Sequence, residues 1–153
     1  MLFRSSLPAQ PQVLVLCGTN AALRLQVEGL ADRFGGRLRA MGFTTQVDEL
    51  LEAADLLVSK AGGLTCSEAL IKHTPLVVFR PTPGQEVSNA AFLEAGGAAV
   101  HADSLETVAA TVARWLADPE ALRRAQENAA RLAHPDAAHD VAQRVLDSVR
   151  PRG

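Results

Sequence analysis

The chain is expected to be an α/β protein: a Rossmann-like three-layer parallel sheet of about five strands with a helical C-terminal portion. Two observations predict this. Between Val13 and Ala102 short apolar runs alternate with stretches of helical period, the pattern of successive parallel β-α-β units. From Ser104 onward three helical patterns follow one another with no strand between them. A length of 153 residues, 48% hydrophobic and 21% charged, suits one domain with an ordinary core.

The elements follow in order. Residues 1–12 are expected to form a disordered or extended lead, with Ser5 to Gln12 as its disordered part, and residues 13–150 the single domain. "VLVLC", Val13 to Cys17, is a continuous apolar run suited to a strand buried on both faces. "AALRLQVEGLADRF" places Leu23, Val27, Leu30 and Phe34 at helical spacing. A weaker strand is expected over Arg37 to Phe43, a short helix over "VDELLEAA", and a strand over Asp55 to Lys60. After Gly62-Gly63, "LTCSEALIKH" reads as a helix, Pro75 to Arg80 as a strand, "EVSNAAFLEAG" as a helix stopped by Gly96-Gly97, and "AAVHA" as the last strand. Ser104 then caps a helix whose Leu105, Val108, Val112 and Leu116 share a face, and Pro119 opens the next. In the last helix Val141, Val145 and Val149 recur at every fourth position, so all three are read as packing helices. The tail "RPRG" is expected to fray.

Composition removes several function classes. A net charge of −2 and a pI near 6.1 provide no basic field, so no nucleic-acid partner is expected. Cys17 and Cys66 have neither metal-type spacing nor a second pair, which leaves no zinc site or disulfide framework and fits a reducing cytoplasm. The first residues lack the apolar run of a signal peptide and no later segment is long enough to span a bilayer, so the chain is expected to be soluble. His73 is read as a helix C-cap, Cys66 as a small buried thiol and Trp115 as a packing residue.

Two polar corners remain. A strand ending at Lys60, then Gly62 and Gly63, then a helix starting near Leu64 or Thr65 leaves backbone N–H groups at a positive helix end, where a phosphate can approach. The Thr65 or Ser67 hydroxyl adds a donor, and the Glu68 carboxylate, one turn into the helix, can accept hydrogen bonds from sugar hydroxyls. The same residues also suit a plain tight turn with a solvated cap. Lys60 precedes the glycines and no Gly-Lys-Ser/Thr follows them, which argues against a P-loop. In "RPTPGQEVSNAAFLEAGGAAV" a loop stiffened by Pro81 and Pro83 delivers Gln85, Glu86 and Asn89 to the start of another helix. Gln85 and Asn89 share a face there and offer amides to a polyol, or serve as first-turn residues. Both corners lie at the carboxyl end of the strands, where such sheets bind ligands.

The combination "SKAGGLT.SEAL", "P....PTPGQE..NA" and a preceding "GF...ELLEAADL" closely resembles the donor-binding segment of the processive diacylglycerol glucosyltransferases and plant-type monogalactosyldiacylglycerol synthases. It resembles less closely the peptidoglycan N-acetylglucosaminyl transferases of the same nucleotide-sugar glycosyltransferase family. The resemblance implies one half of a two-domain GT-B fold and binding of a UDP-sugar without a metal or other cofactor. By that likeness the backbone around Gly42 and Phe43 holds the uracil, Gly62, Gly63, Leu64 and Thr65 the diphosphate, Glu68 the ribose, and Gln85, Glu86 and Asn89 the transferred hexose. The lipid acceptor would be met only through an N-terminal domain that this chain does not contain, and the full-length enzyme would be cytoplasmic, at the inner face of the membrane. No catalytic base can be assigned, and the isolated chain is expected to be inactive. A non-catalytic nucleotide-binding or scaffold module acting through a partner is the alternative.

The likeness also aligns "VLVLCGTNAAL" with the second strand and helix of the donor domain. In a 3-2-1-4-5-6 sheet the absent first strand would be central, leaving two buried edges. Three ways out are open: direct pairing of the Val13 and Asp55 strands, a strand or interface from a second chain in a homodimer, or origin of the chain as a truncated product of a longer gene. The last is expected as the origin, with a closed-up sheet or a dimer as the structural remedy.

Overall fold

The structure is a computed structural model that describes residues 2–4 and 11–149. Six strands form one sheet in the order β3-β2-β1-β4-β5-β6. They are β1 (Leu2–Arg4), β2 (Gln12–Leu16), β3 (Leu38–Met41), β4 (Leu56–Ser59), β5 (Leu76–Phe79) and β6 (Ala99–Ala102). The helices are α1 (Ala21–Ala31), α2 (Val47–Glu52), α3 (Gly63–Ile71), α4 (Gln85–Ala95), α5 (Leu105–Ala117), α6 (Pro119–Leu132) and α7 (Ala137–Val149). The expected α/β architecture with a helical C-terminal part stands. β2 pairs with β3, and β4 with β5 and β5 with β6, all parallel.

The centre of the sheet departs from expectation. The slot between β2 and β4 is filled by the chain's own β1, antiparallel to both: Leu2 lies opposite Leu14 and Leu57, Phe3 opposite Val13 and Leu56. Neither direct pairing of β2 with β4 nor a strand from a second chain closes the sheet. The direction of β1 follows from its link to β2, which has only seven residues. Adjacent strands joined so briefly must run antiparallel, because a parallel return needs a crossover of about a dozen residues or more. The sheet therefore has six strands instead of about five. Of the expected disordered segment, Gln12 instead opens β2, and residues 5–10 lie outside the described residues, as does the tail at 150–153.

Alternation along the strands divides the core. Leu57, Leu76 and Val78 point to one face, where they pack with Leu51, Ala69, Leu70, Leu93 and Ala129. Leu56 and Val77 point to the other, against Val112, Trp115 and Leu116 of α5. Three packing expectations fail, the smallest at Leu105, which opens the expected face of α5 and is 66% exposed. In the first helical stretch only Val27 is buried; Leu23, Leu30 and Phe34 remain partly exposed, because α1 covers only β3, an edge strand, and its neighbour β2. In α7 no residue is buried, and Val141, Val145 and Val149 are 61%, 56% and 70% exposed. An apolar stripe records what a helix would bury, and among the described residues no element covers this one.

Candidate functional site

The site is assembled at the carboxyl edge of the sheet from three chain reversals, following β3, β4 and β5. After β3, Gly42 and Phe43 lead toward α2; the Phe43 ring is 75% exposed. β3 lies three places from β4 in the sheet, a separation of about 14 Å at the usual strand spacing. That is the reach of an extended nucleoside diphosphate.

After β4 the chain passes through buried Ala61 into Gly62, the N-cap of α3, so the helix begins at Gly63, one or two residues earlier than expected. Gly62 takes an ordinary extended conformation, φ −65° and ψ 139°. A Cβ at Gly62 would meet nothing nearer than the Thr65 hydroxyl at 3.9 Å, and one at Gly63 nothing nearer than Asn89 Nδ2 at 3.9 Å. Neither glycine is required by the fold. No side chain caps this helix, and exposed Gly63 and Leu64 leave its first N–H groups open to a ligand. Thr65 and Glu68, three residues apart, stack on one face of α3. Glu68 is half-buried and stands in the second turn of the helix. The Ser67 hydroxyl donates back to the Gly63 carbonyl at 3.0 Å, which leaves Thr65 as the hydroxyl nearer the helix opening. Cys66 is 6% exposed, and burial, with Glu86 adding to it, pushes its thiol up, so it is an inert core group.

After β5 comes the loop Pro81 to Gly84. Two left-handed residues bound it, Arg80 with φ 50° and Gly84 with φ 103°. The second demands glycine. Gln85, Glu86 and Asn89 follow on α4, with Gln85 exposed and the other two half-buried. Asn89 Nδ2 donates to the Ala61 carbonyl at 2.9 Å, tying α4 to the glycine turn. Glu86 accepts the Thr82 N–H at 2.6 Å and the Lys60 ammonium at 3.1 Å. Its carboxyl is held below the ordinary carboxylate range, first by the Thr82 N–H, against partial burial, with the Thr82 side chain and Lys60 adding to it. Lys60 also donates to the Thr82 hydroxyl at 3.2 Å.

The two sequence-predicted corners thus meet through Asn89 and through Lys60, while Gly42 and Phe43 lie along the same edge. Lys60, Thr82 and Arg80 were absent from the sequence-based site. Only the adjacency of β4 and β5 joins Lys60 to a residue 26 positions later, although a lysine directly before a glycine turn was a readable hint. Among the described residues no group of three or more His, Cys, Asp or Glu is placed to hold a metal ion, and no helix is long and apolar enough to cross a membrane.

Known proteins resemble this chain in sequence and in fold. Residues 4–141 match the model of the glycosyltransferase family 28 C-terminal domain. The chain is 37% identical over 119 residues to the processive diacylglycerol beta-glucosyltransferase of Bacillus subtilis (strain 168), covering 78% of this chain and 31% of that protein. It is 35% identical over 143 residues to the probable monogalactosyldiacylglycerol synthase 3, chloroplastic, of Oryza sativa subsp. japonica, covering 93% of this chain and 28% of that protein. It therefore spans about a third of the length of the curated relatives it matches. Among solved structures, WaaG, a glycosyltransferase involved in lipopolysaccharide biosynthesis, shares the fold with a TM-score of 0.61 at 22% identity, over 78% of this chain and 33% of that one.

Proposed function

Because the chain belongs to the glycosyltransferase family 28 C-terminal domain family, we propose that its carboxyl edge binds the nucleotide-sugar donor, a UDP-hexose, of a transferase acting on a lipid acceptor. The observation that carries the reading is the uncapped N-terminus of α3 behind two glycines that the fold does not require. A glycine kept where neither backbone angle nor packing asks for it suits a ligand that must approach the main chain. The diphosphate sits over Gly62 to Thr65, where N–H groups and the helix dipole neutralise its charge without a metal ion. Exposed Phe43 and the Gly42 backbone lie at the uracil end, the Glu68 carboxylate accepts the ribose hydroxyls, and Gln85 and Asn89 border the hexose. Transfer itself needs an acceptor and a base from outside these residues, so the chain alone is expected to bind donor without turnover. The full protein would meet its lipid acceptor at a membrane surface.

Glu68→Ala tests the assignment. Loss of two hydroxyl hydrogen bonds to a carboxylate should weaken UDP binding by about 1.5–3 kcal/mol, read by calorimetry with chelator present. A 2',3'-dideoxyuridine diphosphate should bind wild type and variant alike. Equal affinity of wild type for UDP and the dideoxy ligand removes Glu68 from the ribose site, and a strict magnesium requirement contradicts the metal-free reading.

A further inference from the structure

The loop between β5 and α4 has few means of holding its own shape. Pro81 and Pro83 have no N–H, so Thr82 carries the one amide donor between Arg80 and Gly84. Both ends of the loop are left-handed, and Arg80 takes that conformation directly before a proline, a costly combination for a residue with a side chain. A loop with this backbone persists only when its surroundings hold it. The hold comes from two side chains, Lys60 directly after β4 and Glu86 in the first turn of α4. Glu86 captures the Thr82 N–H at 2.6 Å with one carboxylate oxygen and the Lys60 ammonium at 3.1 Å with the other, while Lys60 reaches the Thr82 hydroxyl at 3.2 Å. The Glu86 side chain is 20% exposed and that of Lys60 57%, so the carboxylate sits partly under the loop with the ammonium at its rim. Lys60 is also the second residue before Gly62, which makes it a direct mechanical link from the glycine turn to the loop.

We propose that Lys60 is a positioning residue that clamps the Pro81–Gly84 loop, through Glu86 and Thr82, to the strand leading into the glycine turn. The hexose end of the site is thereby built on the same base as the diphosphate end. The inference rests on the donor-binding reading above and deepens it. It assigns Glu86 to holding the loop, with both oxygens engaged, and leaves Gln85 and Asn89 as the α4 residues that border the hexose. A clamp and a phosphate ligand make different demands. A clamp matters to a ligand that has a sugar and hardly at all to one that ends in phosphate, whereas a phosphate ligand serves both equally.

The experiment compares wild type, Lys60→Ala, Lys60→Arg and Glu86→Gln in two measurements: hydrogen exchange at the Thr82 amide without ligand, and calorimetric affinity for UDP and for UDP-glucose. Lys60→Ala should speed Thr82 exchange and weaken UDP-glucose by about fivefold, the scale of one partly exposed ion pair, while UDP changes by less than about twofold. Lys60→Arg should restore both, since it keeps the charge and the donors. Glu86→Gln, which retains an acceptor for the Thr82 N–H but loses the ion pair, should lose UDP-glucose affinity as Lys60→Ala does. Equal weakening of UDP and UDP-glucose by Lys60→Ala, or unchanged Thr82 exchange, overturns the clamp. If wild type fails to bind UDP-glucose, the donor reading falls and the hexose assignment with it; Thr82 exchange then still decides whether Lys60 holds the loop.

Discussion

Gly62 and Gly63 separate what the fold needs from what a ligand needs. Gly84 must be glycine because its φ is 103°, but at Gly63 an added Cβ meets only ordinary contact distance and no left-handed backbone. Gly63→Ala should therefore stabilise the fold by about 0.4–1 kcal/mol, through the smaller entropy of the unfolded chain. The same methyl should weaken UDP binding by about 1.5–3 kcal/mol if it displaces an anion from a backbone N–H. Chemical denaturation and calorimetry on one preparation check both signs, and a variant that is less stable would show the glycine to be structural after all. Glu86 supplies a second test. Its carboxyl lies below its ordinary value of 4.5 in the folded chain, chiefly because of the Thr82 N–H, with Lys60 facing it. A lowered pKa means that the loop's tie is fully present above pH 4.5 and is lost as pH falls through the lower folded value. Thr82 protection, corrected for intrinsic exchange, should be flat above pH 5 or so and decline only below about 4.5; a decline starting near pH 6 would point to another group.

At the scale of elements, the helix ends show how sequence signals translate. The sequence suggests His73 as a basic cap for the dipole; the structure gives it a backbone task. It takes φ 55° just past α3, its N–H bonds the Leu70 carbonyl at 3.0 Å, and the Thr74 N–H bonds that of Ala69 at 2.8 Å. This is the Schellman arrangement, in which glycine is the usual left-handed residue. His73→Gly should raise stability by about 0.5–1 kcal/mol by relieving the left-handed penalty, less the added entropy of glycine when unfolded, as a shift in denaturation midpoint with unchanged slope. Destabilisation would mean that the exposed imidazole makes a contact worth more than the strain. Strands and helices between Val13 and Ala117 were legible because each has a clean period and a marked end, such as Ser104, whose hydroxyl accepts the Thr107 N–H at 3.1 Å. Partners were not legible. The stripes of α1 and α7 have the same period as that of α5, yet α5 buries Val112, Trp115 and Leu116 while α7 buries none, because period describes a helix and burial depends on which element lies opposite.

For the whole molecule, contiguous motifs were readable and closures were not. The glycine turn and the proline loop are each local, so their chemistry showed in the sequence; the Lys60–Glu86 pair joins the end of β4 to α4 and needed the fold. The central slot is the larger case. Leu2–Arg4 is too short to have a period, and the family likeness pointed to a missing parallel strand, whereas the structure closes the sheet with an antiparallel one. If β1 bridges the two halves, β3-β2 and β4-β5-β6, a proline inside it should be felt by the entire sheet. Phe3→Pro deletes an N–H in a strand flanked on both sides and fixes φ away from the extended value, which is tolerated at sheet edges and not at centres. An orphaned acceptor in a neighbouring strand costs about 1–3 kcal/mol, a loss that chemical denaturation resolves readily. The partition of the effect carries more than its size: exchange should accelerate at β2 and β4 together, since each pairs with Phe3, while β5 and β6, which lean on one another, stay protected in sub-global openings. Unchanged protection of β2 and β4 would mean that these three residues are not what closes the sheet in solution, and the slot would then need another occupant.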